Sequence, residues 1–403
     1  MTVWEPGRAA ALERLEAFTP RMGRAYAANR NTDRGPGRND HVSRLSPWIR
    51  RRLLSEAAVV RAALEAHGPR EAEKFVQEVI WRTYWKGWLE MRPEVWSGFE
   101  AERARLRASG AADSAAVLAA EQGRTGIEGF DDWARELAET GWLHNHARMW
   151  FASIWVFTLG LPWVLGADFF LRHLLDGDPA SNTLSWRWVA GLQTPGKTYL
   201  ATSENIARFT EGRYRPTGLA SVAPAVEEGP ATPPRRLPAA VAATPDGPHL
   251  LLITAEDLTP EDSVGPGEIC GVVSMAEPGA DGLGAPARRF LDGVMIDAER
   301  RAEARYGHPV LRLGVLSATG ELEAELIAAA RAVGARGVVT PWAATGPTAS
   351  VLARMRPAAA AAGLDLVMIR RPWDSALWPL ADRGFFPFRE RSPEALRSLG
   401  LPV

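Results

Sequence analysis

The residues between Leu175 and Trp188 have the clearest chemical pattern in the chain. They read Leu-Asp-Gly-Asp-Pro-Ala-Ser-Asn-Thr-Leu-Ser-Trp-Arg-Trp, which places two carboxylates, an amide and two indoles at short, fixed intervals in an otherwise apolar region. Upstream, residues 143–149 add the guanidinium of Arg148 and the amide of Asn145. An apolar region with a few convergent polar groups is typical of a binding site for a cofactor or a substrate.

A second group of polar residues lies near the N-terminus. Residues 42–48 read Val-Ser-Arg-Leu-Ser-Pro-Trp, with Pro47 at a position that commonly starts a helix. The Ser43 and Ser46 hydroxyls are suited to phosphate groups, because free N–H groups and the helix dipole attract anions at a helix start. An ordinary helix cap is the alternative interpretation of these residues.

Four blocks of the sequence, in chain order, resemble the flavin domain of the photolyase and cryptochrome family: residues 42–48, 75–82, 141–149 and 176–188. The shorter Arg-Thr-Gly at 124–126 and Thr-Gly-Trp at 140–142 also stand where that family places them. The resemblance covers about the first 215 residues and implies a helical domain that binds FAD. A folded FAD needs hydroxyl and backbone donors, a guanidinium and carboxylate acceptors, and the four blocks supply them.

The resemblance assigns individual residues to the cofactor. Arg148 and Asp176 match a buried ion pair beside the isoalloxazine ring, Asp178 an acceptor for the ring and the ribitol, and Asn182 an amide near N5. Tyr26 matches a residue at the phosphate end. The implied cofactor-binding residues are Tyr26, Ser43, Arg44, Leu45, Ser46, Phe75, Arg82, Arg148, Asp176, Asp178 and Asn182.

The same resemblance implies a DNA substrate. Glu78, Trp81, Asn145, Met149 and Trp188 match the residues that hold a flipped cyclobutane pyrimidine dimer. Base flipping needs such a mixture of a stacking wall and groups that bond the Watson–Crick edge. Spacings of three and four residues place Glu78 with Trp81, and Asn145 with Met149, on shared helix faces. Packing in the protein core is the alternative interpretation of Trp81.

The resemblance also implies that two tryptophans supply electrons to the flavin. Trp186 and Trp163 match the first two members of the family's relay, but the spacing for the third member falls near Gly110. Another exit would then run through Trp150, Trp155 or Trp133. The residues to which the resemblance gives a catalytic role are Glu78, Trp163, Asn182 and Trp186.

Two differently built halves must position these residues. A chain of 403 residues exceeds the roughly 250 to 300 at which single cores stop growing, so two domains are expected. Residues 1–222 have apolar residues at helical spacing, as in 71–89 and 130–137, and predict an all-helical, photolyase-like FAD-binding domain. The proline-rich residues 223–248 predict a linker.

Residues 249–403 follow a different pattern. Short apolar segments at 250–254, 269–273, 310–315, 337–340 and 364–369 alternate with helical stretches at 287–306, 321–335 and 350–362. This alternation predicts a smaller α/β domain with a doubly wound, largely parallel, Rossmann-like sheet. Neither a Gly-x-Gly-x-x-Gly after a strand nor a Gly-Lys-Ser/Thr loop appears, so nothing indicates a nucleotide site there.

The order of the two domains is reversed relative to the family, in which an α/β domain that carries an antenna chromophore comes first. Residues 251–262 resemble that domain's first strand and its Asp-Leu-Arg turn, and residues 384–388 resemble its end, which implies a permuted α/β domain. No residue set here specifies an antenna chromophore, which stays unassigned. Residues 199–206 replace the family's Tyr-Phe-x-Ile-Phe-Asn-Pro segment, which helps to receive the DNA backbone.

Composition excludes several kinds of site. The single cysteine, Cys270, excludes an intramolecular disulfide framework and cysteine-based zinc or iron–sulfur sites. His144 and His146 have a metal-like spacing, but no carboxylate or cysteine cluster joins them, so no metal is expected and they are placed at the substrate mouth.

The net formal charge of -1 neither requires nor excludes nucleic acid. The arginine-rich residues 21–52 indicate either a nucleic-acid contact or a solvated helix surface.

Residues 149–167 carry no charge inside their borders and approach the length of a membrane span. Polar and helix-breaking residues within them, and the flanking Arg148 and Asp168, favour a buried helical hairpin instead. The start of the sequence lacks the pattern of a secretory signal. These features predict a cytoplasmic protein.

The leading functional hypothesis is an FAD-dependent enzyme that uses blue light to repair cyclobutane pyrimidine dimers in DNA. One alternative is a cryptochrome-like light sensor that signals through a protein partner, and another is a flavin-binding protein without photochemistry. The complete lesion-binding set favours repair. The missing third tryptophan and the altered segment at 199–206 favour the sensor.

Overall fold

The computed structural model of the protein describes residues 4–229, 232–265, 267, 269–314 and 321–403. Two residues of the predicted linker, Pro230 and Ala231, lie outside these ranges, as does Val315 at the end of the predicted third strand.

Helices build the first half of the chain, as the sequence predicts. They are α1 (Arg8–Phe18), α2 (Arg24–Asn29), α3 (Ser46–Arg50), α4 (Glu56–Glu90), α5 (Pro93–Ala108), α6 (Ala115–Glu121), α7 (Phe130–Thr140), α8 (Asn145–Ser153), α9 (Trp163–His173), α10 (Pro179–Val189) and α11 (Ser203–Phe209). Helix α4 is interrupted at Gly68, whose φ of 70° lies in the left-handed region and is followed by Pro69.

Tryptophan and phenylalanine form the core of this half. Trp133, Trp150, Trp155 and Trp186 are each at most 2% exposed. The rings of Phe130 and Phe151 stack with centroids 4.3 Å apart, an arrangement that adds to the area these side chains bury. Thirteen of the 16 tryptophans of the chain lie before residue 190, and this enrichment therefore reflects core packing as well as any chemistry.

The second half is a five-stranded parallel sheet in the order β3-β2-β1-β4-β5. The strands are β1 (His249–Ile253), β2 (Ile269–Met275), β3 (Val310–Leu313), β4 (Gly337–Pro341) and β5 (Asp365–Ile369). The helices are α12 (Ala285–Tyr306), α13 (Glu321–Ala332), α14 (Pro347–Ala361), α15 (Pro372–Leu377) and α16 (Phe385–Ser398). All five residues of β1 are buried, as expected for a central strand covered on both faces. The predicted doubly wound sheet is confirmed.

The predicted linker meets the edge of this sheet at Val241. Val241 pairs with Ile369 of β5 in a single parallel bridge, and the Arg370 N–H donates to the Val241 carbonyl at 2.9 Å. The backbone of β5 therefore finds a partner on its open side, which protects an edge strand from pairing with another chain. The domain boundaries at 222 and 248 stay a prediction.

Residues 149–167 form most of α8, a π-helical turn at Ile154–Thr158 and the start of α9. Within the described ranges, no helix combines the length and the apolar character that crossing a bilayer requires.

Three consecutive arginines at the end of α3 join the two halves. Arg50 makes a bidentate pair with Glu256, with N–O distances of 2.7 and 2.9 Å, and Arg51 makes one with Glu277, with both distances 2.7 Å. Arg52 donates to Asp257 and to Asp374, each at 3.1 Å. The three side chains are nearly inaccessible to solvent, with residue exposures of 1%, 5% and 3%. For these members of the stretch 21–52, both sequence interpretations, nucleic-acid contact and solvated surface, are wrong.

Arg52 also reaches the carboxyl edge of the sheet. Its Nη1 donates to Asp257, just after β1, and to the Trp342 carbonyl, just after β4, at 3.3 Å. Strands β1 and β4 are the neighbours at which the strand order reverses. In doubly wound sheets this reversal point is the usual ligand crevice. Here a side chain of the helical half occupies it.

We predict that Arg50→Met destabilises the protein by about 3–5 kcal/mol, because a buried ion that loses its partner leaves an uncompensated charge. The matched control is Arg61→Met, since Arg61 is exposed and lies 3.9 Å from Glu65. Exposed pairs of this kind contribute about 0–1 kcal/mol. Urea denaturation of both variants measures the difference, and a loss for Arg50→Met as small as for Arg61→Met would contradict the prediction.

The junction also predicts a pH dependence of stability. Burial by itself would raise the pKa of Glu256, but Arg50 and Lys86 more than offset it and lower the pKa from 4.5 to about 2. The ionised carboxylate therefore stabilises the fold fully above about pH 4.5, and this contribution is lost as the pH falls through about 2. The free energy of unfolding should drop more between pH 5.5 and pH 3 in the wild type than in Glu256→Gln. Equal drops would show that Glu256 does not carry the effect.

Candidate functional site

One face of α4 carries the first group of predicted site residues. Phe75, Glu78, Arg82 and Lys86 follow one another at spacings of three and four, which places them along one stripe of the helix. Phe75 packs edge to face against Tyr26, with ring centroids 5.1 Å apart, and both are buried. The structure therefore brings together Tyr26 and Phe75, two of the residues predicted to bind the cofactor.

The ion pair predicted between Arg148 and Asp176 is present. Arg148 Nη2 donates to Asp176 Oδ2 at 3.0 Å, and Arg148 Nε donates to the Leu143 carbonyl at 3.0 Å, which fixes the guanidinium. Burial alone would raise the pKa of Asp176, but Arg148 more than offsets it, so the pKa lies below its usual range. Arg82 of α4 lowers this pKa further. The pair is charged and links α8 to the loop before α10.

Arg82 supplies a test of whether a cofactor fits here. Its Nη1 is buried and has no hydrogen-bond acceptor among the residues that the structure describes, since Asp178 Oδ2 is 3.7 Å away. A buried guanidinium N–H without an acceptor is costly. A ligand that brings carbonyl or phosphate oxygens would satisfy it. The residues present therefore fit a flavin nucleotide.

Asp178 lies two residues from Asp176 but faces other partners. Its Oδ1 accepts from the Ser181 N–H at 2.8 Å and so caps α10, while Oδ2 lies 2.7 Å from Lys86 Nζ and 3.5 Å from Arg50 Nε. Burial would raise its pKa, but Lys86, Arg50 and then Arg82 hold it far below its usual range. Both oxygens of the carboxylate predicted to accept from the flavin thus contact protein groups.

Asn182, one turn into α10, is buried with 8% of its surface exposed. Its Nδ2 donates to the Ala167 carbonyl of α9 at 2.9 Å. This bond holds the amide in one orientation and ties α10 to α9.

The loop at 42–46 carries the residues predicted for the phosphates. Helix α3 begins at Ser46, as the sequence predicts, and Leu45 is fully buried. The Arg44 guanidinium lies over the rings of Trp4 and Trp142, at 4.7 and 5.1 Å from their centroids. The loop is held further by Arg14, whose Nε donates to the Ser43 carbonyl at 2.8 Å.

The five residues predicted to hold a flipped pyrimidine dimer differ in their surroundings. Asn145 is exposed, and the others are half-buried. Glu78 forms an ion pair with Arg30, and burial raises its pKa although Arg30 opposes the shift. Two members have aromatic partners on their faces: Trp188 stacks on Tyr199, with centroids 5.6 Å apart, and Trp81 stacks on Phe385 of α16. Met149 lies four residues after Asn145 on α8.

The two tryptophans predicted for the relay do not contact each other in the described residues. Trp186 meets Trp155 at right angles, with centroids 6.2 Å apart, whereas Trp163 contacts Phe99 at 5.8 Å. Gly166 permits the close approach of the first pair, since a Cβ there would collide with the Trp186 ring. Of the alternative tryptophans that the sequence offers, Trp155 contacts Trp186 but is fully buried, so the exit of the relay stays a prediction.

The histidines that flank Asn145 have structural partners. His144 is 2% exposed, and its Nδ1 accepts from the His146 N–H at 3.2 Å at the start of α8. Its predicted position at the substrate mouth is therefore wrong. Within the described ranges, no three His, Cys, Asp or Glu side chains come together in a way that could hold a metal ion.

A cavity of about 310 Å³ lies between the two halves, next to the loop that carries Asp176 and Asp178, since Gly177 and Pro179 line it. Its walls include Arg51, Trp96, Arg107, Asp168 and Glu277, but not Arg148, Asp176 or Asn182.

Sequence reasoning missed several residues that shape the site, namely Arg30, Arg50, Lys86, Tyr199, Glu256 and Phe385. The block Trp-Arg-Thr-Tyr-Trp-Lys at 81–86 could have pointed to Lys86, because a lysine at helical spacing from Arg82 faces the same side. The others come from segments far away in sequence and have no local signal.

Comparison with known proteins covers the helical half. A family model described as the FAD binding domain of DNA photolyase matches residues 75–212. Similar curated proteins include deoxyribodipyrimidine photo-lyases of Streptomyces griseus (40% identical over 156 residues, 38% of this chain and 33% of that protein) and of Thermus thermophilus (37% over 196 residues, 48% and 45%). The chain spans less than half the length of these relatives.

Solved structures with partial similarity include a bacterial class III photolyase from Agrobacterium tumefaciens, at 26% identity and a TM-score of 0.42, which covers 51% of this chain and 45% of that one. A Synechocystis cryptochrome matches at 22% identity and a TM-score of 0.43, over 52% and 44% of the two chains. The family match ends at residue 212, so the permuted origin of the α/β half stays a prediction. Residues 75–212 are therefore similar to the FAD-binding domain of DNA photolyase, and they lie in a chain whose helical half is followed by a parallel α/β half.

Proposed function

We propose that this protein is a flavoenzyme that uses blue light to repair cyclobutane pyrimidine dimers in DNA. The observation that carries the proposal is the ion pair of the half-buried Arg148 with the buried Asp176, beside the unsatisfied N–H of Arg82. The printed names of the similar proteins, which are photo-lyases, support the same activity.

The cofactor in this proposal is FAD, which supplies light-driven electron transfer when it is bound. Arg148 is the group placed to favour a negative charge on the ring, because Asp176 and the Leu143 carbonyl already hold its guanidinium in place. Arg82 would donate its free N–H to an acceptor of the nucleotide. Ser43, Arg44, Leu45 and Ser46, with Tyr26 and Phe75, would line the phosphate and adenine end. Asp178 would contribute indirectly, because it pairs with Lys86 and caps α10.

The substrate in this proposal is a pyrimidine dimer flipped out of DNA. Trp81 and Trp188 would stack against it, and Glu78 and Asn145 would bond its polar edges, with Met149 beside them. Glu78, whose pKa is raised by burial, would donate or accept a hydrogen bond at the dimer and so stabilise charge that develops on it. Trp186, with Trp163 or Trp155, would resupply electrons.

A cryptochrome-like light sensor is the second candidate, favoured by a specific observation. Trp188 is covered by Tyr199, which belongs to the segment 199–206 that replaces the family's DNA-facing sequence, and Glu78 is paired with Arg30. A lesion site whose members already have protein partners suits a protein that keeps the flavin and signals through another protein.

The repair hypothesis has a direct test. Purified, reduced protein should restore a thymine-dimer oligonucleotide under blue light and not in the dark. Glu78→Gln should keep its flavin but lower the restoration rate about tenfold or more, since one hydrogen bond to a charged group is worth about 1.5–3 kcal/mol. The control Glu65→Gln alters an exposed carboxylate and should restore normally. Flavin-loaded wild type that restores no dimer would favour the sensor.

We predict that Asp176→Asn loses most of its FAD. The substitution removes the charge that holds Arg148, and breaking a buried pair costs about 3–5 kcal/mol. The ratio of absorbance near 450 nm to that at 280 nm in purified protein should fall at least tenfold. A melting curve followed by circular dichroism separates cofactor loss from unfolding. Glu139→Gln, on the exposed side of α7, is the matched control, and flavin retained by folded Asp176→Asn would contradict the assignment.

A further inference from the structure

Phe385, the first residue of α16, lies face to face on Trp81. The two ring centroids are 3.4 Å apart and the planes differ by 7°, the closest and most nearly parallel of the aromatic contacts within the described ranges. Phe385 belongs to the α/β half and Trp81 to the helical half, so this stack crosses the junction between them. A planar ring at this spacing takes the position that a stacked base would take.

The remaining surroundings of Trp81 are aromatic too. Trp85 lies 5.1 Å away at an angle of 33°, and Tyr84 meets the ring edge to face at 5.6 Å. Trp81 therefore has a protein ring on the face that Phe385 covers and further rings around it. It is still half-buried rather than buried, so it remains reachable from solvent.

The segment that carries Phe385 is anchored before α16 and within it, where Arg391 donates to the Leu380 carbonyl and Phe388 is fully buried. Tyr84 donates its hydroxyl to the Arg383 carbonyl at 3.0 Å, which fixes the backbone before the helix. Gly384, at the start of α16, offers no side chain to cap the first N–H groups of the helix. Phe385 is 4% exposed and also contacts Tyr84 and Phe388, so a base that takes its place on Trp81 must displace it from these rings as well, but it breaks no side-chain cap of α16.

We propose that Phe385 is a specificity-determining residue of the lesion site, which competes with a flipped base for the Trp81 ring. The inference rests on the proposed repair function. A base that stacks on Trp81 must first displace Phe385. Every ligand that stacks on the Trp81 ring therefore binds more weakly than it would if Phe385 did not cover that ring. A dimer leaves the duplex at less cost than an intact pair, so dimers alone retain measurable affinity.

The test compares two neighbouring phenylalanines. Phe385→Leu keeps an apolar side chain but removes the flat ring, whereas Phe386→Leu changes a residue that is 63% exposed and does not stack on Trp81. Binding of a fluorescent duplex oligonucleotide with one thymine dimer is measured by anisotropy in the dark, beside the undamaged duplex. The flavin-loaded full-length protein is used throughout.

We expect Phe385→Leu to bind the dimer oligonucleotide about tenfold more tightly than the wild type, and Phe386→Leu to bind it like the wild type. The gain should vanish in Phe385→Leu combined with Trp81→Ala. If Phe385 has a purely structural role, Phe385→Leu should instead lower the melting temperature and leave the affinity for the dimer oligonucleotide unchanged or weaker. Should Phe385→Leu fail to fold, Phe385→Met supplies a flexible side chain of similar volume.

The inference is overturned if folded Phe385→Leu or Phe385→Met gains no affinity for the dimer, or if the gain persists without Trp81. Light-dependent restoration, measured on the same samples, decides the proposed function separately. Wild type that restores dimers, together with a Phe385 variant that binds no more tightly, would leave the function standing and remove the competing role of Phe385.

Discussion

The burial of Arg50, Arg51 and Arg52 between the two halves is the constraint on which the rest of the structure depends. A guanidinium can leave water only where carboxylates and carbonyls satisfy it, and each of the three has such partners from the α/β half. The halves must therefore dock in one register, because a shift would leave buried charges without partners. This one register is what allows α16 to reach Trp81 of α4.

The docking of the two halves also fills the position in the α/β half where a ligand would usually bind. At the point where doubly wound sheets usually bind a ligand, between the ends of β1 and β4, Arg52 contacts Asp257 and the Trp342 carbonyl. The crevice thus serves as a docking surface for the helical half. A Rossmann-like topology by itself would have suggested a nucleotide site, which shows why function has to be argued from the residues at a site and not from the fold.

The sequence predicted those features that have a local cause. The five strands follow from short apolar runs, α3 starts at Ser46 as the block at 42–48 indicates, and the resemblance to the family implied the pair of Arg148 and Asp176. Contacts between distant segments were beyond reach. Nothing near Trp81 in the sequence indicates a contact with a phenylalanine close to the other end of the chain. Arginines are mostly exposed in proteins, so the run 50–52 suggested a surface.

The loop at 176–178 connects the residues predicted to bind the cofactor with the arginine contacts between the two halves. Asp176 turns to Arg148, Asp178 turns to Lys86, and the Gly177 carbonyl between them accepts from Arg50 Nε at 2.8 Å. Arg50 in turn holds Glu256 of the α/β half. The position of the carboxylate that orients Arg148 therefore depends on a charge contributed by the other half. The proposed flavin-binding residues Arg148 and Asp176 are for this reason coupled to the contacts that Arg50 makes with the α/β half.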